Sequence, residues 1–401
     1  MTQKRAGKER DGAWRVFLIF LRLGLTSFGG PIAHLGYFRA EFVERRRWLD
    51  DRSYSDLVAL CQFLPGPASS QVGMALGLGR AGWPGLFAAW AGFTLPSAVA
   101  LILFAQGIAR YQGLAESGWV HGLKIVAVAV VAQAVWGMAR ALCPDRPRVA
   151  LAILAALLTL MLPSAAGQIA AIAAAGLLGH LSLSIAEPAG GQPHVYPVSR
   201  TLGAAALLLF VLLLAGLPWW ATTSSSSTVA LLEGVYRSGA LVFGGGHVVL
   251  PLLQTAVVPG GAVSNADFLA GYGAAQAVPG PLFTFAAYLG AVAAGPPHGW
   301  AGGFALLGVI FLPAFLILIA ALPFWEMLRH RQGIQATMAG INAGVVGILL
   351  SALYDPVWTS AIHSRADFGL ALAMFSLLVF GRAPPVLVVA ASAIAGWAMT
   401  L

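Results

Sequence analysis

Apolar segments of roughly 20 residues follow one another along nearly the whole chain, and only short polar loops separate them. A helix of about 20 residues is about 30 Å long, which matches the hydrocarbon core of a bilayer. We therefore predict an all-α, polytopic membrane protein with about 12–13 transmembrane helices. The predicted spans lie at about 14–31, 54–79, 84–108, 119–142, 148–163, 165–185, 200–218, 229–250, 267–293, 300–323, 334–353, 366–380 and 384–401.

Two stretches of the chain are near copies of each other, which indicates two homologous halves. FLRLGLTSFGGP at 20–31 corresponds to VYRSGALVFGGGH at 235–247. Likewise, QFLPGP at 62–67 corresponds to QAVPGP at 276–281. The predicted domains are 1–190, an N-terminal transporter repeat; 191–228, a linker with one connecting helix; and 229–401, a C-terminal transporter repeat.

Each repeat contains two motifs, FGG and PGP, that interrupt a helix within apolar sequence. Glycine and proline break helical hydrogen bonding and leave backbone N–H and C=O groups without partners. In a bilayer, such groups are tolerated only where they are buried in protein or line a water-filled cavity. Broken helices at matching positions of two repeats are the pattern expected of a secondary transporter.

The predicted order of spans implies that the repeats are inverted in the membrane. Six spans, one connecting span and six more place the N-terminus inside and the C-terminus outside, with most loop arginines cytoplasmic, as the positive-inside rule requires. The exception is the segment RAEFVERRRWLDDR at 39–52, which this count places outside. In the alternative, FGG and its flanks form a re-entrant hairpin, which keeps the segment cytoplasmic. Of the two, the arrangement of continuous spans is favoured.

The composition agrees with a membrane protein and argues against other classes. The chain is 59% hydrophobic and 9% charged, whereas soluble proteins carry about 25% charged residues. Many of the basic residues behind the net charge of +8 lie in short loops or at the N-terminus, so nucleic acid is not an expected partner. Cys61 and Cys143 have no metal or disulfide spacing, and we expect neither a metal nor a cofactor. The sequence has neither a GxSG-type nucleophile with a histidine nor paired aspartates within spans, so an intramembrane enzyme is not expected.

Arg22 and Arg237 are the most informative charged side chains. Each lies six residues before an FGG motif, in mostly apolar sequence, at the same position of its repeat. A charge inside the membrane is costly and usually faces a pathway. We interpret both as substrate-binding residues, with snorkelling toward the membrane surface as the alternative.

The other candidate site residues come from the helix breaks and the polar side chains beside them. Free N–H groups at helix N-termini suit an oxyanion. Hydroxyl and amide side chains can add donors, although interhelical hydrogen bonding explains them nearly as well. His34 and His247 are out of register between the repeats; proton coupling is a minor alternative for them. The candidates are Phe28, Gly29, Gly30, Gln62, Pro65, Gly66, Pro67, Ser70, Phe243, Gly244, Gly245, Gln276, Pro279, Gly280, Pro281 and Thr284.

These motifs resemble those of the chromate ion transporters, and they cover most of both halves. The paired FGG and PGP motifs at this spacing are far more specific than any one of them. The segments that carry the resemblance are LRLGLTSFGGPIAHLG at 21–36, ALCQFLPGPASSQ at 59–71, FTLPS at 93–97, FGGGHVVLP at 243–251, DFLAGYGAAQAVPGP at 267–281 and GINAGVVG at 340–347.

The resemblance implies a secondary active transporter that exports chromate across the inner (plasma) membrane and confers chromate resistance. A carrier of sulfate or another oxyanion is one alternative, because chromate and sulfate are tetrahedral dianions of similar size. An anion channel is another, because broken helices also build filters. The expected partners are the oxyanion, the lipid bilayer and, as a candidate, a second copy in a homodimer.

Overall fold

The computed structural model describes residues 12–28, 30–110, 118–183, 196–224, 226–243, 246–324 and 331–399. These residues form helices and connecting turns, without a β-strand among them, so the prediction of an all-α fold is confirmed. Three candidate site residues, Gly29, Gly244 and Gly245, lie outside the described residues, as do residues 191–195 at the start of the predicted linker.

The helices fall into two series joined by one connecting helix. In the first half they are α1 (Ala13–Thr26), α2 (Gly30–Arg39), α3 (Asp51–Phe63), α4 (Ala68–Arg110), α5 (Gly118–Leu142), α6 (Arg146–Met161) and α7 (Ala165–Ser182), and α8 (Arg200–Thr223) follows. In the second half they are α9 (Ser227–Ala240), α10 (Val249–Val257), α11 (Asn265–Ala275), α12 (Phe285–Val292), α13 (Gly299–Ala321), α14 (Gln332–Ala352), α15 (Arg365–Val379) and α16 (Pro385–Ala398).

Polar caps fix where many of these helices begin. A capping side chain accepts a backbone N–H that has no partner inside the helix. By contrast, α10 and the short 3-10 turn before α12 begin at the breaks without a side-chain cap. The helices with a side-chain cap are α3, α6, α7, α8, α11 and α15, and their capping residues are Asp50, Asp145, Ser164, Ser199, Ser264 and Ser364.

The first FGG motif lies at the turn of a helical hairpin. The ring of Phe20 in α1 lies 5.6 Å from the ring of Phe38 in α2. In a straight helix these two residues would be about 27 Å apart. The chain therefore reverses direction between α1 and α2, and the ring of Phe42 also lies 5.1 Å from that of Phe20.

The first PGP motif lies at the turn of a second hairpin. Trp48 precedes α3, and the guanidinium carbon of Arg80 lies 5.4 Å from the centre of its ring. The stretch from Ala68 to Arg80 therefore returns to the end at which α3 begins. At Ala81 and Gly82 the backbone leaves helical geometry, with a φ of 65° at Gly82, and the rest of α4 runs back through the protein.

The second half repeats both hairpins. A Cβ atom on Gly234 of α9 would lie 2.8 Å from the Cβ of Ala256 in α10. The hydroxyl of Tyr288 in α12 donates a hydrogen bond of 3.1 Å to the carbonyl of Asp267 in α11. Both contacts join residues on opposite sides of an FGG or PGP motif, which requires the chain to fold back there.

The prediction of continuous spans at 14–31, 54–79, 229–250 and 267–293 is therefore wrong, and the hairpin alternative applies to the PGP segments as well as to FGG. The arms that α1, α2, α3, α9, α10, α11 and α12 form have 8 to 14 residues, fewer than the roughly 20 that cross a bilayer. The physical reason is that a helix break frees the chain to turn, and packing of the two arms decides that it does.

Long apolar helices surround the hairpins. Five helical stretches of the described chain are long and apolar enough to cross a membrane: Ala68–Gly107, Gly118–Leu142, Arg200–Thr223, Gly299–Phe324 and Gln332–Ala361. The first of them contains the break at Ala81 and Gly82, so its initial part belongs to the PGP hairpin. Glycine allows close helix contact, as small residues do in membrane proteins: a Cβ on Gly179 of α7 would lie 2.6 Å from the Cα of Gly340 in α14. The protein is a multi-pass membrane protein.

Candidate functional site

The turns of the four hairpins meet, and they do so across the two halves. The N–H of Gly66 in the first PGP donates to the carbonyl of Val242, next to the second FGG, at 2.7 Å. The N–H of Gly280 in the second PGP donates to the carbonyl of Ser27, next to the first FGG, at 2.9 Å. Because Ser27 and Val242 occupy equivalent positions of the repeat, these two hydrogen bonds are related by its pseudo-symmetry.

Both PGP glycines require their residue type. Gly66 has a φ of 118° and Gly280 a φ of 94°, a region that other L-residues rarely adopt. A Cβ on Gly280 would lie 2.6 Å from Oγ of Ser97 and 3.0 Å from the carbonyl oxygen of Phe93. A Cβ on Gly66 would meet Nε2 of Gln71 at 3.0 Å and the Cβ of Ala314 at 3.1 Å.

A cavity of about 70 Å³ opens beside this junction. At ~10–15 Å³ for each water molecule, it has room for about five waters, which is comparable to the five heavy atoms of a tetrahedral oxyanion. Three predicted site residues, Gly30, Gln276 and Gly280, line it. The complete lining consists of Gly30, Pro31, Val130, Gln133, His247, Ala275, Gln276, Val278, Gly280, Leu282 and Pro385.

The polar groups of the cavity are hydrogen-bond donors without formal charge. Nε2 of Gln276 is buried and has no hydrogen-bond partner among the described residues. Nδ1 of His247 lies 2.9 Å from the hydroxyl of Tyr272. Gln133 enters from α5, and α2 begins at Gly30 with the free N–H groups of a helix N-terminus. Such an arrangement can bind an anion through its oxygens.

Sequence reasoning did not include Gln133 or His247 among the substrate-binding residues. The sequence does single out Gln133, because it is the one polar residue within the apolar run AVAVVAQAVW of α5. His247 gives no paired signal, because Ile32 and not a histidine stands at the equivalent position of the first repeat. The cavity is not symmetric, so a search restricted to symmetric pairs does not find these two residues.

The two arginines do not line the cavity. Arg22 is exposed on the outer face of α1, where Leu18 and Leu25 are also 46% and 54% exposed. Arg237 forms an ion pair with Glu233 one turn earlier in α9, with Nε and Oε1 2.8 Å apart. The charge of Arg237 is therefore already balanced within its own helix.

The remaining predicted residues of the first half lie at or near the turns. Gln62 is exposed, Phe28 is half-buried, and Pro67 is buried. The carbonyl of Pro65 accepts a 2.8 Å hydrogen bond from Nε2 of Gln71. Oγ of Ser70 is buried and has no partner within the described parts of the chain.

In the second half, Phe243 is half-buried and Pro281 is buried. The carbonyl of Pro281 accepts a 2.7 Å hydrogen bond from Oγ1 of Thr284, and the carbonyl of Pro279 accepts a hydrogen bond from Oγ of Ser97. The hydroxyl of Thr284 is thus used inside its own turn, unlike that of its counterpart Ser70.

The halves also differ in the chemistry around their turns. Positions that carry hydroxyl, imidazole or amide groups in the first half mostly carry apolar groups in the second, and Nδ1 of His34 lies 3.4 Å from Oγ of Ser69. The pseudo-symmetry of the backbone is therefore not a symmetry of side chains. Six buried polar residues have apolar counterparts: Ser27, His34, Ser69, Gln71, Thr94 and Ser97 correspond to Val242, Val249, Phe283, Phe285, Phe311 and Ala314. The buried Ser70 is the exception, because its counterpart Thr284 also carries a hydroxyl.

Metal binding finds no support in the part of the chain that the structure describes. No group of three or more His, Cys, Asp or Glu side chains is placed there to hold a metal ion.

Comparison with known proteins identifies relatives of this chain. The chain is 28% identical to a chromate transport protein of Pseudomonas aeruginosa, over 96% of this chain and 91% of that protein. It is 26% identical to a probable chromate transport protein of Synechococcus elongatus, over 94% and 93% of the two chains. It is 23% identical to a chromate transport protein of Cupriavidus metallidurans, over 95% and 92%. No solved structure matches the chain significantly. The chromate transporter pattern matches residues 14–180 and 229–397, and the chain therefore belongs to the chromate transporter family.

Proposed function

We propose that this protein is a secondary active carrier that exports chromate across the cytoplasmic membrane and so confers chromate resistance. The observation that carries the proposal is the reciprocal pair of hydrogen bonds, Gly66 to Val242 and Gly280 to Ser27. It joins the broken helices of both halves at one junction. Discontinuous helices that meet at a repeat interface are where secondary transporters bind their substrates.

The hairpins support an inverted repeat with the N-terminus inside. A hairpin returns the chain to the side it came from. After its two hairpins, each half continues with four helical passes. In the first half these are the second part of α4, α5, α6 and α7. The connecting helix α8 then brings the second half in from the opposite side. In this arrangement the segment 39–52 and Arg80 are cytoplasmic, together with Arg140 and Arg382, in agreement with the positive-inside rule.

A carrier function also accounts for the chemistry of the junction. The N-terminus of α2 at Gly30 borders the cavity, and a helix N-terminus carries partial positive charge suited to an oxyanion. At the turns the two halves contact each other through these two backbone hydrogen bonds and through the hydrogen bond from Oγ of Ser97 to the carbonyl of Pro279. Movement of the hairpins against the long helices would expose the cavity first to one side and then to the other.

Arg22 and Arg237 complete the proposal as residues that attract the dianion. Arg22 lies on the outer face of α1 and not in the cavity lining, so it would act on the anion through its long-range field and not by contact. Because Glu233 already balances Arg237, we assign the larger electrostatic effect to Arg22.

Uptake of chromate into everted membrane vesicles tests the function. Energised vesicles that contain the protein should accumulate chromate above the external concentration, and vesicles without it should not. Collapse of the proton gradient and of the membrane potential, applied separately, identifies the driving force, and excess sulfate measures selectivity. Equilibration without accumulation would indicate a channel, and the absence of any chromate flux would refute the proposal.

A further inference from the structure

We propose that the cavity is a single asymmetric oxyanion site, in which three uncharged donors from different elements, Gln276, His247 and Gln133, bind the substrate. This inference rests on the proposed function and identifies the residues that recognise the anion. It differs from a symmetric site, in which both PGP hairpins would contribute alike.

Gln276 supplies the first donor. Its Nε2 is buried and unpartnered within the described residues, and the residue lines the cavity. A buried amide without a partner loses free energy, so native proteins usually satisfy such a group with water or a ligand. Its repeat counterpart, Gln62, is exposed and does not line the cavity.

His247 supplies the second donor. Tyr272 is fully buried, and its hydroxyl lies 2.9 Å from Nδ1 of His247. When the phenol donates to Nδ1, the neutral ring carries its proton on Nε2. Nε2 would lie 3.8 Å from a Cβ atom on Gly30, so the N–H borders the space that this glycine leaves free. The counterpart, Ile32, has no donor.

Gln133 supplies the third donor, from α5. Gln133 lines the cavity from this helix. At the equivalent position of the second half stands Ser351, whose hydroxyl accepts a 2.8 Å hydrogen bond from Thr159 and donates to the carbonyl of Ile348. The counterpart is thus fully engaged, whereas Gln133 is available to a ligand.

The lining explains why a carrier can release its substrate. The lining residues contain no Arg, Lys, Asp or Glu. A fixed positive charge in this low-dielectric space would hold a dianion strongly, whereas transport requires binding weak enough for the ion to leave. Chromate, sulfate and molybdate carry twice the charge of nitrate and therefore form stronger charge-assisted hydrogen bonds with such neutral donors.

The test compares matched variants in everted vesicles, with the half-saturation concentration for chromate as the readout. Gln276→Leu should raise it roughly 10- to 100-fold, the effect of losing one hydrogen bond to a charged group. Gln62→Leu, the repeat-matched control, should change it less than about threefold, because Gln62 does not line the cavity. Gln133→Leu should behave like Gln276→Leu. His247→Gln, which keeps a donor, should bind better than His247→Phe.

A second variant separates binding from folding. Gln276→Glu keeps the shape of the side chain but replaces the donor by an acceptor, so it should impair chromate binding more than Gln276→Leu. Each variant is first shown to be inserted and monodisperse in detergent. Excess sulfate or molybdate should compete with chromate, and nitrate should not.

The outcomes distinguish the two proposals. Wild-type protein that moves no chromate overturns the proposed function. Wild-type protein that transports chromate, with Gln62→Leu and Gln276→Leu equally impaired, overturns only the asymmetric site. Unchanged half-saturation in well-folded Gln276→Glu overturns it as well.

Discussion

Substitution of the two PGP glycines by alanine should affect transport unequally. At both positions a side chain must adopt a positive φ, which costs about 1–2 kcal/mol. At Gly280 the new Cβ would also lie 2.6 Å from Oγ of Ser97 and 3.0 Å from the backbone oxygen of Phe93. Such overpacking costs a further ~1–3 kcal/mol. At Gly66 the nearest atoms are Nε2 of Gln71 at 3.0 Å and the Cβ of Ala314 at 3.1 Å, so a new Cβ is less crowded there than at Gly280.

We therefore expect Gly280→Ala to reduce chromate uptake about tenfold more than Gly66→Ala, since 1.4 kcal/mol corresponds to a factor of ten. The assay is the initial rate of uptake into everted vesicles, divided by the amount of monodisperse protein extracted from the same membranes. Removal of the nearest atom in Gly280→Ala/Ser97→Ala should restore part of the activity. The rescue should be incomplete, because the carbonyl of Phe93 remains and the hydrogen bond from Ser97 to Pro279 is lost.

Equal effects at the two glycines, or a double variant no better than Gly280→Ala, would refute this reasoning. The distances around the new Cβ atoms would then not determine how strongly each substitution reduces chromate uptake. A control with Ser97→Ala alone measures the effect of the lost hydrogen bond, so the coupling between the two positions is obtained from the full cycle.

Further predictions concern charge and topology. Arg22→Gln should raise the half-saturation concentration for chromate more than Arg237→Gln, because Glu233 already balances Arg237; the reverse order in vesicle uptake would contradict this. Glu233→Gln removes the partner of Arg237 and should lower the half-saturation concentration for chromate. An unchanged half-saturation concentration would show that the charges of this pair do not affect chromate binding. In a protein without native cysteines, Ala40→Cys should react with an impermeant maleimide only from the cytoplasmic side and Thr359→Cys only from the outside. Labelling of Ala40→Cys from outside would exclude the proposed topology.

The sequence by itself determines the class of this protein, the positions of its helix breaks and the equivalent positions of its two halves. Segment length and hydropathy determine an all-α membrane protein, because a backbone in lipid must satisfy its own hydrogen bonds. The Gly-Pro motifs mark where helices stop, and the repeat assigns equivalent positions to Gly66 and Gly280. The i,i+4 spacing of Glu233 and Arg237 in the sequence also indicates an ion pair.

Only the tertiary structure decided how the chain continues after each break. A break ends the helical hydrogen bonds but does not set the direction of the next helix; contacts such as Phe20 with Phe38 do so. The cavity is likewise a tertiary feature, because Gln133 and His247 come from distant elements. Their repeat counterparts, Ser351 and Ile32, give no matching signal. Sequence fixes local conformation through near neighbours, whereas a binding site depends on which distant side chains packing brings together.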